Sequence, residues 1–354
     1  MTTVHLFQRC LKPLAILLFA LPLVAQAQDQ VRIIQTNAAG DRIHLIDPVS
    51  NTVVGEIPGI EVAHGATASP DGRWIYASNE ADDTLDVADA QTLRVVKKIP
   101  LSGRPNNVSI TPDGGKVYVG IRQAVGDNPG VADVIDTASL TKVKSIRTDG
   151  PVHNLYVTPD GKHVVTGSAS NGFVSVLDAQ TDAPAWRVEL EDRIRPMAIS
   201  KNPDGSTRSI FVQVGEFNGF IVVDFETRQQ VARVSLPKLP AGRTGIPTGS
   251  APSHGLAVTA DQETLLVCSR LNNALYSYSL PDLNPLGEAY LSGKGCAWVT
   301  LTPDGQRAYV ADPVGGDTLV VDIPTMEEVT KIAVGQVPKR NHTMVIPASG
   351  SGTQ

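Results

Sequence analysis

The chain has 354 residues, of which 42% are hydrophobic and 5% aromatic, and it contains 31 Gly and 25 Pro. This composition excludes a disordered polymer, a collagen and a coiled coil. The formal net charge is −6, and it becomes about −8 when the two basic residues among the first 27, Arg9 and Lys12, are left out. A chain with this excess of acidic residues is not expected to bind nucleic acid.

The first 27 residues have the pattern of an export signal. Two basic residues precede an apolar run from 14 to 24, and the small-residue tripeptide 25–27 suits cleavage before Gln28. The apolar run is too short to span a bilayer, and no later stretch approaches the length of a membrane helix. We therefore expect a signal peptide at 1–27 and a periplasmic or secreted mature chain without membrane attachment.

A tetrad built on Pro-Asp-Gly recurs along the chain. Its copies, of which the fifth has decayed, stand at 69–72, 111–114, 158–161, 202–205, 259–262 and 302–305. Pro fixes φ and Gly accepts a positive φ, so each tetrad predicts a tight turn between short β-rich runs. A second marker, an apolar strand ending in Asp, brings the count to seven units of about four strands. The repeat predicts an all-β, seven-bladed β-propeller at 28–347, followed by a disordered tail at 348–354.

The strands that follow the tetrads carry a family resemblance. The segments Ile-Tyr-Ala-Ser-Asn at 75–79, Val-Tyr-Val-Gly at 117–120 and Ala-Tyr-Val-Ala-Asp at 308–312 each come just after a turn. In this the chain resembles the YncE-like seven-bladed propellers named for a Tyr-Val-Thr-Asn (YVTN) repeat. These are related in architecture to the propellers of quinoprotein amine dehydrogenase and nitrous oxide reductase. The resemblance implies the fold but not one function, because one fold hosts many activities.

The phase of the repeat also predicts how the ring closes. Residues 33–37 align with 75–79, the second strand of a unit, so the first unit lacks its first strand at the N-terminus. A matching strand appears at the other end of the chain, at 342–346. We expect this C-terminal strand to close the first blade, which removes two open sheet edges.

Four histidines share one phase of the repeat, at the start of a first strand in the pattern His-x-apolar-x-apolar. They are His64, His153, His254 and His342. First strands line the central channel of a propeller, so equivalent positions form a ring around its axis. The other places in this ring are expected to hold Asn106, Met197 and Ala297. Imidazole is a common ligand of transition metals, so the ring predicts a Cu, Fe or Zn site at the channel mouth. A structural histidine copied with each repeat, binding no ligand, is the alternative.

Further polar residues are expected near this ring. The long loops at 121–131 and 236–253 return to the same face and predict the walls of a funnel. The candidate ligand-binding residues are Glu80, Arg104, Asn106, Arg122, Arg195, Arg270 and Cys296. Two isolated histidines, His44 and His163, are expected on the surface without a special role.

The sequence shows no nucleophile elbow, phosphate-binding Gly loop, haem-attachment motif or zinc Cys pair. We therefore predict metal-dependent redox or Lewis-acid chemistry on a small molecule, as in an oxidoreductase or a lyase. The alternative is a non-catalytic periplasmic binding module, or an accessory subunit of a dehydrogenase with a protein partner. The metal content of the purified protein distinguishes these hypotheses.

Overall fold

A computed structural model describes Met1 and residues 28–124, 130–247 and 251–348. This part of the chain forms 28 β-strands, arranged as seven antiparallel sheets of four strands each. The predicted seven-bladed β-propeller is thereby confirmed. The proposed leader from residue 2 to 27 and the tail from 349 lie outside the described residues.

Within each blade the first strand named is the innermost one. Blade one contains β28 (Pro338–Ile346), β1 (Gln30–Asn37), β2 (Arg42–Asp47) and β3 (Thr52–Pro58). Blade two contains β4 (Ala63–Ala68), β5 (Trp74–Asn79), β6 (Thr84–Asp89) and β7 (Arg94–Pro100). Blade three contains β8 (Gly103–Ile110), β9 (Lys116–Ala124), β10 (Val131–Asp136) and β11 (Thr141–Arg147). Blade four contains β12 (Val152–Val157), β13 (His163–Ser168), β14 (Phe173–Asp178) and β15 (Ala183–Glu189).

The other three blades follow the same order without interruption. Blade five contains β16 (Ile194–Lys201), β17 (Thr207–Val214), β18 (Gly219–Asp224) and β19 (Gln229–Ser235). Blade six contains β20 (Ser253–Val258), β21 (Thr264–Ser269), β22 (Ala274–Ser279) and β23 (Pro285–Tyr290). Blade seven contains β24 (Trp298–Leu301), β25 (Arg307–Asp312), β26 (Asp317–Asp322) and β27 (Glu327–Ala333).

The C-terminal strand closes the ring as predicted. β28 pairs antiparallel with β1 over its whole length, from Gln30 opposite Ile346 to Asn37 opposite Pro338. It therefore starts four residues earlier than the sequence pattern indicated. The inner end of this pairing is reinforced by Thr36, whose hydroxyl donates to the carbonyl of Arg340 at 2.9 Å.

The burial of the strands follows from their place in the blade. The two middle strands are covered by the neighbouring blades on both faces and are buried along nearly their whole length, as in β5 and β6, where polar residues such as Ser78 and Asp86 are buried among apolar ones. The outer strand β7 exposes most of its residues and buries Ile99. At the tetrad turns a positive φ is required, and Gly72 adopts φ +70° there.

No helix in the described part of the chain is long and apolar enough to cross a lipid bilayer.

Candidate functional site

Three of the four predicted histidines occupy equivalent places at one end of the channel. In blade two, the residue before His64 pairs with Asn79, the last residue of the second strand. His153 and His254 follow the same pairing in blades four and six. Gly255, directly after His254, lets the next first strand approach, because a Cβ there would lie 2.8 Å from the carbonyl oxygen of Ala297. The three imidazoles are thus brought to one level around the axis.

The fourth histidine is at another level, which corrects the predicted ring. In blade one the corresponding pairing joins Pro338 to Asn37, so Lys339 is the residue equivalent to His64. His342 lies three residues deeper in the channel, opposite Ile34.

The fifth place in the ring is also corrected. Ile194 pairs with the last residue of the second strand, Val214, so Arg195 occupies the ring and Met197 does not. The two strands of this hairpin, β16 and β17, are each two residues longer than β12 and β13 in blade four, and their pairing shifts register after Ser200. Counting back from the turn therefore placed the ring at the wrong residue. In the ring the seven blades contribute Lys339, His64, Asn106, His153, Arg195, His254 and Ala297.

Two of the histidines have one ring nitrogen tied to the protein. Nδ1 of His64 donates to the carboxylate of Glu80, which also accepts hydrogen bonds from Arg104. Nδ1 of His254 donates to the carbonyl oxygen of Ala297 at 3.0 Å. By contrast, Nε2 of His64 and Nδ1 of His153 are buried without a hydrogen-bond partner. The tied nitrogens orient the rings, and the unpartnered ones remain available to a ligand.

Trp298 and Arg340 form the floor beneath these histidines. The indole of Trp298 lies edge-on to the imidazole of His254, with ring centroids 4.2 Å apart, and 6.4 Å from those of His64 and His153. The guanidinium of Arg340 lies 4.0 Å from the centre of the indole. This stacking holds a cation on an aromatic face below the mouth.

Positive charge dominates the mouth. The cations that act on Lys339, Arg195 and the three histidines are Arg122, Arg193, Arg195, Arg270, Lys339 and Arg340. The carboxylates that act on them are Asp192, Glu216 and Glu80, and the last of these is paired with Arg104. Burial and the neighbouring cations lower the pKa of both Lys339 and Arg195. Among the described residues, Arg122, Arg195 and Lys339 form no ion pair. The whole chain has a net charge of −6, so the excess of positive charge at the mouth is a local feature.

Six of the seven predicted ligand-binding residues divide into two groups. Glu80, Arg104, Asn106, Arg195 and Arg270 lie in or beside the ring. Arg122 is exposed on β9, whose strand runs into the predicted loop at 121–131, of which 125–129 lies outside the described residues.

The structure also shows the surroundings of Cys296 and His44, two residues singled out in the sequence. The thiol of Cys296 is fully buried, and burial raises its pKa well above the usual range, so it is a neutral thiol at pH 7. His44 is buried, not on the surface, and its Nδ1 accepts a hydrogen bond from Asn37 at 3.0 Å.

The buried histidines predict a loss of stability in mild acid. Desolvation lowers the pKa of buried His64 and half-buried His342 to about 4, and that of buried His153 and His254 well below its usual range. The unfolded chain therefore binds more protons than the folded one between about pH 6.5 and pH 4, and stability falls as pH is lowered through that window. Urea unfolding at pH 7, 6, 5 and 4.5 measures this slope. His342→Asn, which cannot titrate, should make this dependence of stability on pH less steep. An unchanged slope would contradict a lowered pKa of the His342 imidazole in the folded protein.

The described residues contain no group of three or more His, Cys, Asp or Glu side chains arranged to hold a metal ion. The ring centroids of His64, His153 and His254 lie 4.2 to 6.4 Å from that of Trp298, and those of His153 and His254 are 6.0 Å apart. The transition metal predicted from the sequence therefore stays a prediction.

No family model and no curated protein matches the chain. Among solved structures, its fold is similar to hydrazine synthase of Kuenenia stuttgartiensis, with a TM-score of 0.70 and 20% identity, covering 87% of this chain and 99% of that one. It is similar to the periplasmic gluconolactonase PpgL of Pseudomonas aeruginosa, with a TM-score of 0.71 and 18% identity, covering 90% and 100%. The dihydro-heme d1 dehydrogenase NirN, solved in complex with DHE, has a TM-score of 0.60 and 18% identity, covering 88% and 74%. At these identities the similarity shows the propeller fold.

Proposed function

We propose that the chain is an exported propeller whose channel mouth binds a small organic anion bearing carboxylate or phosphate groups. The observation that carries this proposal is the group of cations around the ring that lack a carboxylate partner. Lys339 and Arg195 stand in the ring itself, Arg122 lies on its rim, and none of the three forms an ion pair within the described chain.

A protein gains nothing from partly buried cations that repel one another. Moving a charge out of water costs several kcal/mol unless an opposite charge compensates for it. Here Glu80, which acts on Lys339, is already engaged by His64 and Arg104. The Glu216 carboxylate, which acts on Arg195, is paired with Arg193. An anionic ligand would supply the missing negative charge, and guanidinium groups bind carboxylate and phosphate through paired hydrogen bonds.

The proteins of similar fold are compatible with a small-molecule site. NirN was solved with DHE bound, and PpgL is a periplasmic gluconolactonase. By analogy, a sugar acid is a suitable first probe for this chain. The export signal predicted at 1–27 would place the protein in the periplasm or outside the cell, where it could meet such a ligand. The suggestion that it is an accessory subunit with a protein partner stays a prediction.

A thermal-shift panel tests the proposal. It compares gluconate, citrate and glucose 6-phosphate with their neutral counterparts glucose and glycerol, at constant ionic strength and pH 7.5. A ligand that binds only the native state at 100 times its Kd stabilises by about 2.7 kcal/mol. We expect at least one anion to raise the midpoint and no neutral compound to do so. Equal responses from both classes would overturn the proposal.

A histidine-held transition metal is the second candidate, and one observation favours it. Metal-bound histidines commonly donate their other ring N–H to a carboxylate or a backbone carbonyl. His64 does this toward Glu80 and His254 toward Ala297, which leaves Nε2 of each free. Such a metal would supply Lewis-acid or redox chemistry to an anion bound at the same mouth.

The metal has its own test. His153→Ala should abolish any midpoint increase caused by Cu, Zn or Fe at pH 7.5, whereas His163→Ala, on the opposite face, should leave it intact. Because protons compete for imidazole nitrogen, the metal effect should weaken as pH falls. If no metal is found in the purified protein and none raises its midpoint, the metal candidate fails while the anion site remains.

A further inference from the structure

A second cluster of unsatisfied polar groups lies deeper in the channel. Arg340 is 5% exposed and crosses the channel from blade one to blades three and four. Its guanidinium donates to Oδ1 of Asn106 at 3.1 Å, to Oδ1 of Asn154, to the carbonyl of His153 at 3.2 Å and to the hydroxyl of Tyr156 at 3.4 Å. All of these acceptors are neutral. A buried cation thus has no negative partner among the described residues.

The same cluster holds an excess of donors. Nε of Arg340, Nδ2 of Asn106 and Nδ2 of Asn154 are all buried without a hydrogen-bond partner. Buried donors are rarely left unpaired in folded proteins, and unpaired ones require an explanation. The guanidinium of Arg340 forms no ion pair among the described residues, although Glu80 acts on it electrostatically, and its unpaired Nε calls for an acceptor that carries negative charge.

A cavity adjoins Arg340 on the side away from the mouth, and Asn106 and Asn154 do not line it. It has a volume of 230 Å³, and its lining includes Arg340, Trp298, Tyr156, Thr67 and His342. The three ring histidines do not line it, because Trp298 and Arg340 lie between them and the cavity. Its walls combine one guanidinium with the hydroxyl groups of Tyr156 and Thr67, which can donate hydrogen bonds to an anion.

We propose that this cavity binds a small monovalent anion, such as a halide or formate, against the guanidinium of Arg340. The site is separate from the mouth proposed above and does not depend on it, since the floor formed by Trp298 and Arg340 divides the two. The anion compensates the buried charge of Arg340. The ligand of the mouth does not reach this cavity. The closing strand would then be anchored across the channel by an ion held among blades one, three and four.

Bromide tests this assignment directly. Crystals of the mature chain are soaked in sodium bromide and the anomalous scattering of bromide is mapped. We expect a peak beside the guanidinium of Arg340 in the wild type and in Lys339→Met, and no peak there in Arg340→Met. If bromide appears only around Lys339 and Arg195, or nowhere in the channel, the proposal is wrong, although the first of these results would support the mouth site.

A solution measurement covers the case in which Arg340→Met does not fold. Arg340→Lys keeps the charge but loses the guanidinium fork, so it should fold and bind bromide or formate at least tenfold more weakly. The midpoint increase from each salt is compared between wild type, Arg340→Lys and Arg94→Met, which changes an exposed cation on the outer strand β7, so that general salt effects cancel. The expected result is a reduced increase in Arg340→Lys alone. Equal increases in all three proteins would overturn the site.

Discussion

Lys339→Met is expected to weaken binding of the mouth anion while it stabilises the protein without ligand. A hydrogen bond to a charged group contributes about 1.5–3 kcal/mol, so affinity should fall roughly 10- to 100-fold. Without ligand, the same change removes a cation whose pKa is lowered by burial and by Arg270, Arg122 and Arg340. The midpoint should then rise by about 2 °C for each kcal/mol gained. Isothermal titration and thermal unfolding of the same preparation measure both effects.

Lys339→Met is thus expected to lower ligand affinity and to raise the unfolding midpoint. This combination distinguishes a binding role of Lys339 from a structural one. Arg94→Met is the matched control, because Arg94 is an exposed cation on the outer strand β7. It should change neither affinity nor midpoint beyond experimental error. If Lys339→Met lowered the midpoint and left affinity unchanged, Lys339 would be part of the scaffold and the mouth proposal would lose its main residue.

Deletion of residues 341–354 is expected to abolish soluble folded protein. The cut removes most of β28, and with it the whole pairing of β1 from Gln30 to Gln35. It also opens two sheet edges, which are templates for aggregation. Expression of the truncated chain, followed by gel filtration and circular dichroism, measures the outcome.

Deletion of only 348–354 is the control for this truncation. These residues follow the last paired position, Ile346, and are predicted from their composition to be disordered. The short deletion should leave the unfolding midpoint within about 1 °C. A soluble, cooperatively unfolding product from the longer deletion would show that the ring closes without β28.

The fold could be predicted because its signal is repeated and local. Each Pro-Asp-Gly tetrad carries its own turn chemistry, and Gly72, Gly114 and Gly161 all adopt the positive φ that such turns need. A single decayed copy at 259–262 did not obscure the period. Closure followed from the same repeat, because a missing first strand at one end matched an extra strand at the other.

The ring was predicted less well because its register was counted from the turns. Counting works where the hairpin length is constant, and it placed His64, His153 and His254 at the level where the structure has them. Blade five has a longer hairpin, and the closing strand has no tetrad turn after it at all. For these reasons Met197 and His342 were assigned to places that belong to Arg195 and Lys339.

The floor of the mouth was missed altogether. Trp298 and Arg340 follow ring positions directly, where sequence alternation alone predicts a side chain turned away from the axis. In blade one a register shift between Gln35 and Asn37, which pair with Asn341 and Pro338, breaks that alternation at Arg340, and Trp298 is the first residue of β24. Two features of the sequence could have indicated this floor. Lys339 and Arg340 are adjacent cations at the start of an innermost strand, and Trp298 is one of only three Trp residues in the chain.

A crystal structure with the anion that stabilises the protein most would test the mouth site most directly. The proposal predicts electron density for the ligand at the channel mouth, with its acidic groups within hydrogen-bonding distance of Lys339 and Arg195. The ligand should lie above Trp298, on the side of His64 and His254. Density for the ligand only on the opposite face, among the Pro-Asp-Gly turns, would contradict the assignment of the mouth as the functional site.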